Sequence, residues 1–85
     1  MTPPSIRLFI KPHCPWCHKA MAWLDARGLN YEKLDVIANA EYRAQMFTLS
    51  GQSLAPVIEV NGQVLADFDP DQLEKWWLAQ GFGSA

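Results

Sequence analysis

The sequence predicts an α/β fold in which a mixed β-sheet packs against three helices. In the first half of the chain, apolar runs of strand length alternate with amphipathic stretches of helix length. Near the end, an Asn61-Gly62 pair separates two further strand-like runs. The predicted order is β-α-β-α-β-β-α. The first strand-helix-strand unit gives a parallel pair, and the Asn-Gly turn gives an antiparallel hairpin that extends the sheet.

The first half of the chain is predicted to form a strand, a helix and a second strand. Ser5–Ile10 is an apolar run that Pro12 ends, because proline restricts the preceding residue and has no N–H to donate. Pro15–Arg27 is predicted to be a helix that stops at Gly28. Its apolar positions follow helical spacing: Cys17, Ala20, Met21 and Leu24. Tyr31–Val36 alternates in the manner of a second strand.

The next segments are predicted to form a helix and the hairpin. Ala38–Ser50 is predicted to be helical and to end at Gly51. The residues expected to be buried on this helix are Tyr42, Met46 and Leu49. The strands Val57–Val60 and Gln63–Ala66 lie on either side of the Asn-Gly turn, which is the favoured two-residue hairpin turn.

A third helix is predicted after the hairpin. Asp69 is a suitable N-cap, Pro70 suits the first helical position, and Gln72 is placed to complete a capping box. Gly81 ends the helix. The buried stripe is expected to consist of Leu73, Trp76 and Trp77.

Length and composition limit the classes of protein to consider. With 85 residues, of which 49% are hydrophobic and 19% charged, a single folded domain over residues 1–85 is expected, and a disordered chain is excluded. The formal net charge of -2 offers no attraction to phosphate backbones or acidic lipid, so neither nucleic acid nor a membrane is expected as a partner. The chain has no apolar run of about 20 residues and no signal-peptide pattern, so a cytoplasmic location is expected.

Two cysteines lie at the start of the first predicted helix, in the segment His13-Cys14-Pro15-Trp16-Cys17-His18. Cys14 falls at the cap, where free backbone N–H groups and the helix dipole favour a thiolate. Cys17 falls on the buried stripe one turn later, so it is less solvated and is placed to attack Cys14. We therefore predict that Cys14 attacks a substrate disulfide and that Cys17 releases the reduced product by closing a Cys14–Cys17 bond.

The two cysteines allow three other interpretations. A structural disulfide over so few residues would contribute roughly 2 kcal/mol, against about 3 kcal/mol for a 15-residue loop, and would be a weak crosslink. A closed zinc site would need a distant second pair of ligands, whereas His13 and His18 are the only other Cys or His residues. No metal ligand is therefore assigned. A metal cluster shared between two subunits stays open as an alternative.

The motifs resemble those of a dithiol glutaredoxin of the thioredoxin-fold superfamily. The resemblance is carried by Cys-Pro-Trp-Cys-His-Lys-Ala after a strand, by Lys11 three residues before Cys14, and by Ala55-Pro56 before a strand. It extends over residues 6–80. It implies a thioredoxin-like fold, a four-stranded mixed sheet with helices on both faces. It also implies no bound cofactor, glutathione as reductant or co-substrate, and disulfide-containing proteins as partners.

The resemblance also implies how substrate is bound. It implies a cis Ala55–Pro56 bond facing Cys14, which leaves the N–H and C=O of Ala55 free to pair with an extended substrate. The expected substrate or glutathione contacts are Lys11, Trp16, Gln52, Ala55, Pro56, Val57 and Asp69. Two of these have plainer interpretations, because Lys11 can be a solvated loop charge and Asp69 can act only as a helix cap.

The sequence departs from the family at Ala66-Asp67, where glutaredoxins have a pair of glycines. Asp67 adds a side chain and a negative charge, which we expect to obstruct the γ-glutamyl carboxylate of glutathione. The predicted function is a glutathione-dependent thiol-disulfide oxidoreductase acting on protein or glutathione mixed disulfides. Because of Asp67, a glutaredoxin-like electron donor reduced by a thioredoxin-reductase flavoprotein is the first alternative.

The second alternative is a non-enzymatic iron–sulfur carrier, in which Cys14 from two subunits and two glutathiones hold a cluster. Pro15 disfavours this alternative, because the resemblance implies that a stiff proline at this position hinders cluster assembly.

Overall fold

Seven elements follow one another in the predicted order in a computed structural model that describes residues 3–82. They are strand β1 (Ile6–Ile10), helix α1 (Pro15–Ala26), strand β2 (Glu32–Asp35), helix α2 (Ala40–Ser50), strand β3 (Val57–Val60), strand β4 (Gln63–Ala66) and helix α3 (Pro70–Gln80). The terminal residues 1, 2 and 83–85 of the predicted domain lie outside the described residues.

The four strands form one mixed sheet in the order β2-β1-β3-β4. Strand β1 pairs in parallel with β2 and antiparallel with β3, and β3 pairs antiparallel with β4 across the Asn61-Gly62 turn. The predicted mixed sheet is thus confirmed. In the parallel pair, Ile10 lies opposite Asp35, so both strands end at the same edge of the sheet. The loop between β1 and α1, which contains Cys14, begins at this edge.

Helices cover both faces of the sheet, because the central strand is apolar on both sides. Leu8 faces α1 and α3 and packs in a cluster with Leu24 and Leu73. Phe9 points the other way and packs with Met46 of α2. All five side chains are almost completely buried. The two clusters fix α1 against one face and α2 against the other, which confirms the expected layers.

Helix α2 begins two residues later than predicted because Asn39 caps it. The Asn39 side-chain oxygen accepts hydrogen bonds from the N–H groups of Glu41, at 2.9 Å, and Tyr42, at 3.2 Å. Asparagine is a favoured N-cap, so the signal was present in the sequence. Of the three residues expected to be buried, only Met46 is; Tyr42 and Leu49 are half-buried at the edge of the core.

The third helix begins with the predicted capping box. The Asp69 carboxylate accepts a hydrogen bond from the N–H of Gln72 at 2.7 Å, and the Gln72 side-chain oxygen accepts one from the N–H of Asp69 at 2.9 Å. Of the expected stripe, Leu73 and Trp77 are buried, and Trp76 is half-buried at the rim. Within residues 3–82, no helix has the length and hydropathy needed to cross a membrane.

Candidate active site

Cys14 is the N-cap of α1, and its sulfur serves as the capping acceptor. Its backbone is extended, with φ of -95° and ψ of 111°, and Pro15 follows at the first helical position. The N–H of Cys17 donates a hydrogen bond to the Cys14 Sγ at 3.2 Å. The Cys14 N–H is itself anchored on the Lys11 carbonyl at 3.1 Å. The start of the helix therefore holds the Cys14 sulfur in place and supplies it with a backbone N–H donor.

Cys17 differs from Cys14 in its surroundings. Its side chain is completely buried in the cluster between the sheet and α1, whereas Cys14 is partly exposed. Burial, reinforced by the hydrogen bond to Cys14, raises the pKa of the Cys17 thiol from 9.0 to about 12. At neutral pH Cys17 is therefore a protonated thiol. The two sulfurs are not joined by a disulfide in this structure.

Ala55 lies directly opposite the Cys14 thiol. The Ala55–Pro56 peptide bond is cis, as the resemblance implied. The Cys14 Sγ lies 3.9 Å from the Ala55 carbonyl oxygen, within reach of a weak S–H hydrogen bond. The Ala55 N–H has no hydrogen-bond partner among residues 3–82. An unpaired backbone donor therefore lies next to the reactive sulfur.

One cavity contains the Cys14 thiol. It has a volume of about 420 Å³ and is largely apolar. Its lining residues are Lys11, Pro12, His13, Cys14 and Ile37. Four of them come from the loop between β1 and α1, and Ile37 follows β2 at the same edge of the sheet.

A second, smaller cavity of about 170 Å³ lies beside Trp16. Its lining residues are Trp16, Asp67, Phe68, Asp69 and Gln72. The Trp16 ring is 49% exposed, as expected for a substrate contact, and the Lys19 ammonium lies 4.2 Å from the ring centroid. This cavity joins the start of α1 to the start of α3, and it carries two carboxylates.

Asp67 shapes the second cavity through its backbone and its charge. Its φ of 52° lies in the left-handed region, which glycine adopts without cost and aspartate tolerates. Its N–H donates to the Pro56 carbonyl at 3.0 Å. The Asp69 N–H is taken by Gln72, and Pro70 has no N–H. The start of α3 therefore has few free donors for an anion, although the helix dipole favours one.

Three of the seven predicted contacts line these two cavities, and a fourth lies beside Cys14. Lys11 lines the first, Trp16 and Asp69 line the second, and Ala55 lies against Cys14. Pro56 and Val57 are completely buried, and the Pro56 carbonyl accepts the N–H of Asp67, so the structure leaves neither residue open to a substrate. Gln52 lines neither cavity, and its backbone N–H and C=O are both hydrogen-bonded to the Ser50 hydroxyl.

Ile37 is the lining residue that sequence reasoning missed. It follows β2, which pairs in parallel with the strand that leads to the cysteine loop. Because parallel neighbours end at the same edge of a sheet, an apolar residue just after β2 was the available signal.

His18, which follows Cys17 in the chain, is exposed, and its ring nitrogen lies 2.8 Å from the Pro12 carbonyl. Within residues 3–82, no three His, Cys, Asp or Glu side chains are grouped to hold a metal ion.

Comparisons with known proteins agree with this architecture. The glutaredoxin family model matches residues 6–65. An uncharacterized glutaredoxin-like 8.6 kDa protein of Clostridium pasteurianum is 30% identical over 70 residues, covering 82% of this chain and 93% of its own. Glutaredoxin 3 of Escherichia coli K12 is 31% identical over 65 residues, covering 76% of this chain and 78% of its own.

A similar solved structure is that of a mutant of the thioredoxin-like protein BC3987. Its TM-score is 0.79 and its identity 25%, and the match covers 93% of this chain and 97% of the other. The family match spans β1 to β4 and includes both cysteines and the cis bond. The chain therefore belongs to the glutaredoxin family of thiol-disulfide oxidoreductases.

Proposed function

We propose that the protein reduces protein disulfides and glutathione mixed disulfides through the Cys14/Cys17 pair, with glutathione as the electron source. The observation that carries the proposal is the inequality of the two thiols. Cys14 Sγ is partly exposed and accepts the N–H of Cys17 at 3.2 Å, whereas the Cys17 thiol is completely buried. A partly exposed thiolate is the nucleophile in thiol-disulfide exchange.

The reaction on a protein disulfide has two steps. The Cys14 thiolate attacks one sulfur, a Cys14–substrate disulfide forms, and the other substrate sulfur leaves as a thiolate. Cys17 then gives up its proton to a departing thiolate or to solvent and attacks Cys14 Sγ. The Cys14–Cys17 disulfide forms, and the second substrate thiolate leaves. The substrate gains two electrons and the enzyme pair loses two.

Glutathione returns those electrons. One glutathione thiolate opens the Cys14–Cys17 disulfide to give a mixed disulfide with Cys14, and a second releases oxidised glutathione. The two cavities support this role, because Lys11 in the first can offer its ammonium to a carboxylate and Asp69 in the second can offer its carboxylate to an amine. The unpaired N–H of Ala55 offers a backbone contact to the ligand between them.

A second candidate is an electron donor that a thioredoxin-reductase flavoprotein reduces. The observation that favours it is the second cavity, where Asp67 adds a carboxylate and the N–H groups of Asp67 and Asp69 are already taken. An anionic group such as the γ-glutamyl carboxylate meets repulsion there with few donors to offset it. The dithiol chemistry is the same in both candidates, and only the reductant differs.

A comparison of reductants tests the proposal. The reduced protein is given the mixed disulfide of glutathione and 2-mercaptoethanol, and NADPH oxidation is followed with glutathione plus glutathione reductase, or with thioredoxin reductase alone. We expect turnover in the first system. Turnover with thioredoxin reductase alone would show that the flavoprotein, and not glutathione, is the electron source. Turnover in neither would overturn the dithiol proposal itself.

A further inference from the structure

The cavity around Cys14 has an apolar wall that the exchange chemistry does not use. Ile37 is 60% exposed and lines this cavity together with Cys14. Single exposed apolar side chains are common on protein surfaces, so exposure alone does not indicate a functional role and the location of the side chain must be considered. The other large apolar side chains exposed within residues 3–82 are Trp16, Phe47, Leu54 and Leu78, and none of them lines this cavity. Ile37 is therefore distinguished by its place beside the reacting sulfur.

The backbone of Ile37 is held firmly. The preceding residue, Val36, is completely buried and donates its N–H to the Ile10 carbonyl at 3.0 Å. The Asp35 carboxylate accepts the N–H of Ile37 at 2.8 Å and that of Ala38 at 3.0 Å. Because the backbone is already fixed, only the Ile37 side chain has to be ordered when a substrate covers it, which lowers the cost of binding there.

The same cavity carries an unpaired positive charge. Lys11 lines it, and no carboxylate of residues 3–82 forms an ion pair with the Lys11 ammonium. An apolar wall beside a free cation complements a segment that has an apolar residue next to an acidic one. Because Cys14 lines the same cavity, a segment that carries the disulfide under attack can place its neighbouring residues there.

We propose that Ile37 is a specificity-determining residue, selecting protein disulfides in which an apolar residue follows the cysteine attacked by Cys14, with an acidic residue beyond it. The occupant of the cavity is thus an extended segment of a partner protein. Small polar disulfides lack the apolar side chain and gain nothing from Ile37. The inference rests on the proposed function, because it assigns a substrate class to the same nucleophile.

Stoichiometric exchange with short peptides tests the inference without any reductant. Each peptide carries one cysteine joined to thionitrobenzoate, followed by either Leu-Glu or Ser-Glu. Attack by the Cys14 thiolate at the peptide sulfur forms the Cys14–peptide disulfide and releases coloured thionitrobenzoate. We expect the wild-type protein to react about tenfold faster with the Leu-Glu peptide, a difference of about 1.4 kcal/mol, as one partly buried aliphatic side chain supplies.

Substitutions assign the preference to Ile37. Ile37→Ser is expected to bring the rate ratio of the two peptides close to one, and Ile37→Leu to retain it. The matched control is Phe47→Ser, because Phe47 is 58% exposed on α2 and does not line the cavity. Thermal unfolding of each variant checks that the fold is kept. The inference would be overturned if the wild-type protein reacted with both peptides at the same rate. It would also be overturned if Ile37→Ser kept the same rate ratio as the wild type.

Three outcomes separate the parts of the proposal. A Leu-Lys peptide that reacts as fast as the Leu-Glu peptide would overturn the requirement for an acidic residue. If no peptide released thionitrobenzoate, Cys14 would not be the nucleophile, and the proposed function would fail together with the inference. Release with every peptide at one rate would overturn the inference alone.

Discussion

The N–H of Cys17 donates to the Sγ of Cys14 at 3.2 Å, and this contact explains the spacing of the two cysteines. Cys14 is the N-cap of α1 and Pro15 is its first residue, so Cys17 is the third residue of the helix. A capping side chain accepts from the N–H of the second or third helical residue. Two residues between the cysteines therefore give the Cys14 sulfur a backbone donor, while Cys17 lies one turn further along α1 and is buried.

This contact predicts unequal effects of the two serine substitutions. Cys14→Ser removes the nucleophile and is expected to abolish reduction of every disulfide. Cys17→Ser keeps Cys14 and the backbone N–H that donates to its sulfur, so activity on glutathione mixed disulfides is expected to persist, while reduction of protein disulfides is lost. Initial rates with the two substrate classes provide the measurement. Equal loss in both variants would contradict the assigned roles.

The raised pKa of Cys17 predicts a loss of stability at high pH. The thiol titrates near 9.0 in the unfolded chain and at about 12 in the folded protein. Between these values the unfolded chain binds fewer protons, so the free energy of unfolding falls as pH rises, by up to about 1.4 kcal/mol per pH unit. Below pH 9 this contribution is fully present.

Urea unfolding under reducing conditions measures this effect. The slope against pH between pH 9 and pH 11 is expected to be smaller in Cys17→Ala than in the wild type. Tyr31, whose pKa is raised by burial and by its hydrogen bond to Asp25, contributes equally to both proteins and cancels in the comparison. Identical slopes would show that the thiol of Cys17 gains no protection from the fold.

Local chemistry made much of this fold predictable from the sequence. The Asn61-Gly62 turn and the Asp69 capping box are determined by a few adjacent residues, and both form as expected. The contribution of Ile37 to the cavity was missed although the parallel β1–β2 pair was predicted, because it depends on the register in which the two strands end side by side, with Ile10 opposite Asp35. Likewise, nothing in the local sequence shows that the N–H of Asp67 bonds to Pro56.

Asp67 is predicted to weaken the use of glutathione. Its carboxylate lines the second cavity, and its φ of 52° suits glycine, so Asp67→Gly removes the charge without straining the backbone. The Michaelis constant for glutathione is expected to fall severalfold, and the free energy of unfolding to change by less than about 1 kcal/mol. Asp67→Asn separates charge from bulk, since it removes only the charge. An unchanged Michaelis constant for glutathione in both variants would show that Asp67 does not weaken the use of glutathione.

Asp69 has two proposed roles, in the helix cap and in ligand binding, and a pair of substitutions separates them. One carboxylate oxygen accepts the N–H of Gln72 at 2.7 Å, and the side chain also lines the second cavity. Asparagine caps helices as well as aspartate does, so Asp69→Asn is expected to preserve stability within a few tenths of a kcal/mol. Asp69→Ala loses the cap and is expected to cost about 1 kcal/mol.

The two roles then differ in their kinetic signature. If the Asp69 carboxylate binds the α-amino group of glutathione, both variants lose this attraction, and the Michaelis constant for glutathione rises severalfold in each. If Asp69 acts only as a cap, Asp69→Asn behaves as the wild type in both assays. We expect the first pattern, because only one of the two carboxylate oxygens is hydrogen-bonded within residues 3–82, which leaves the other available to a ligand.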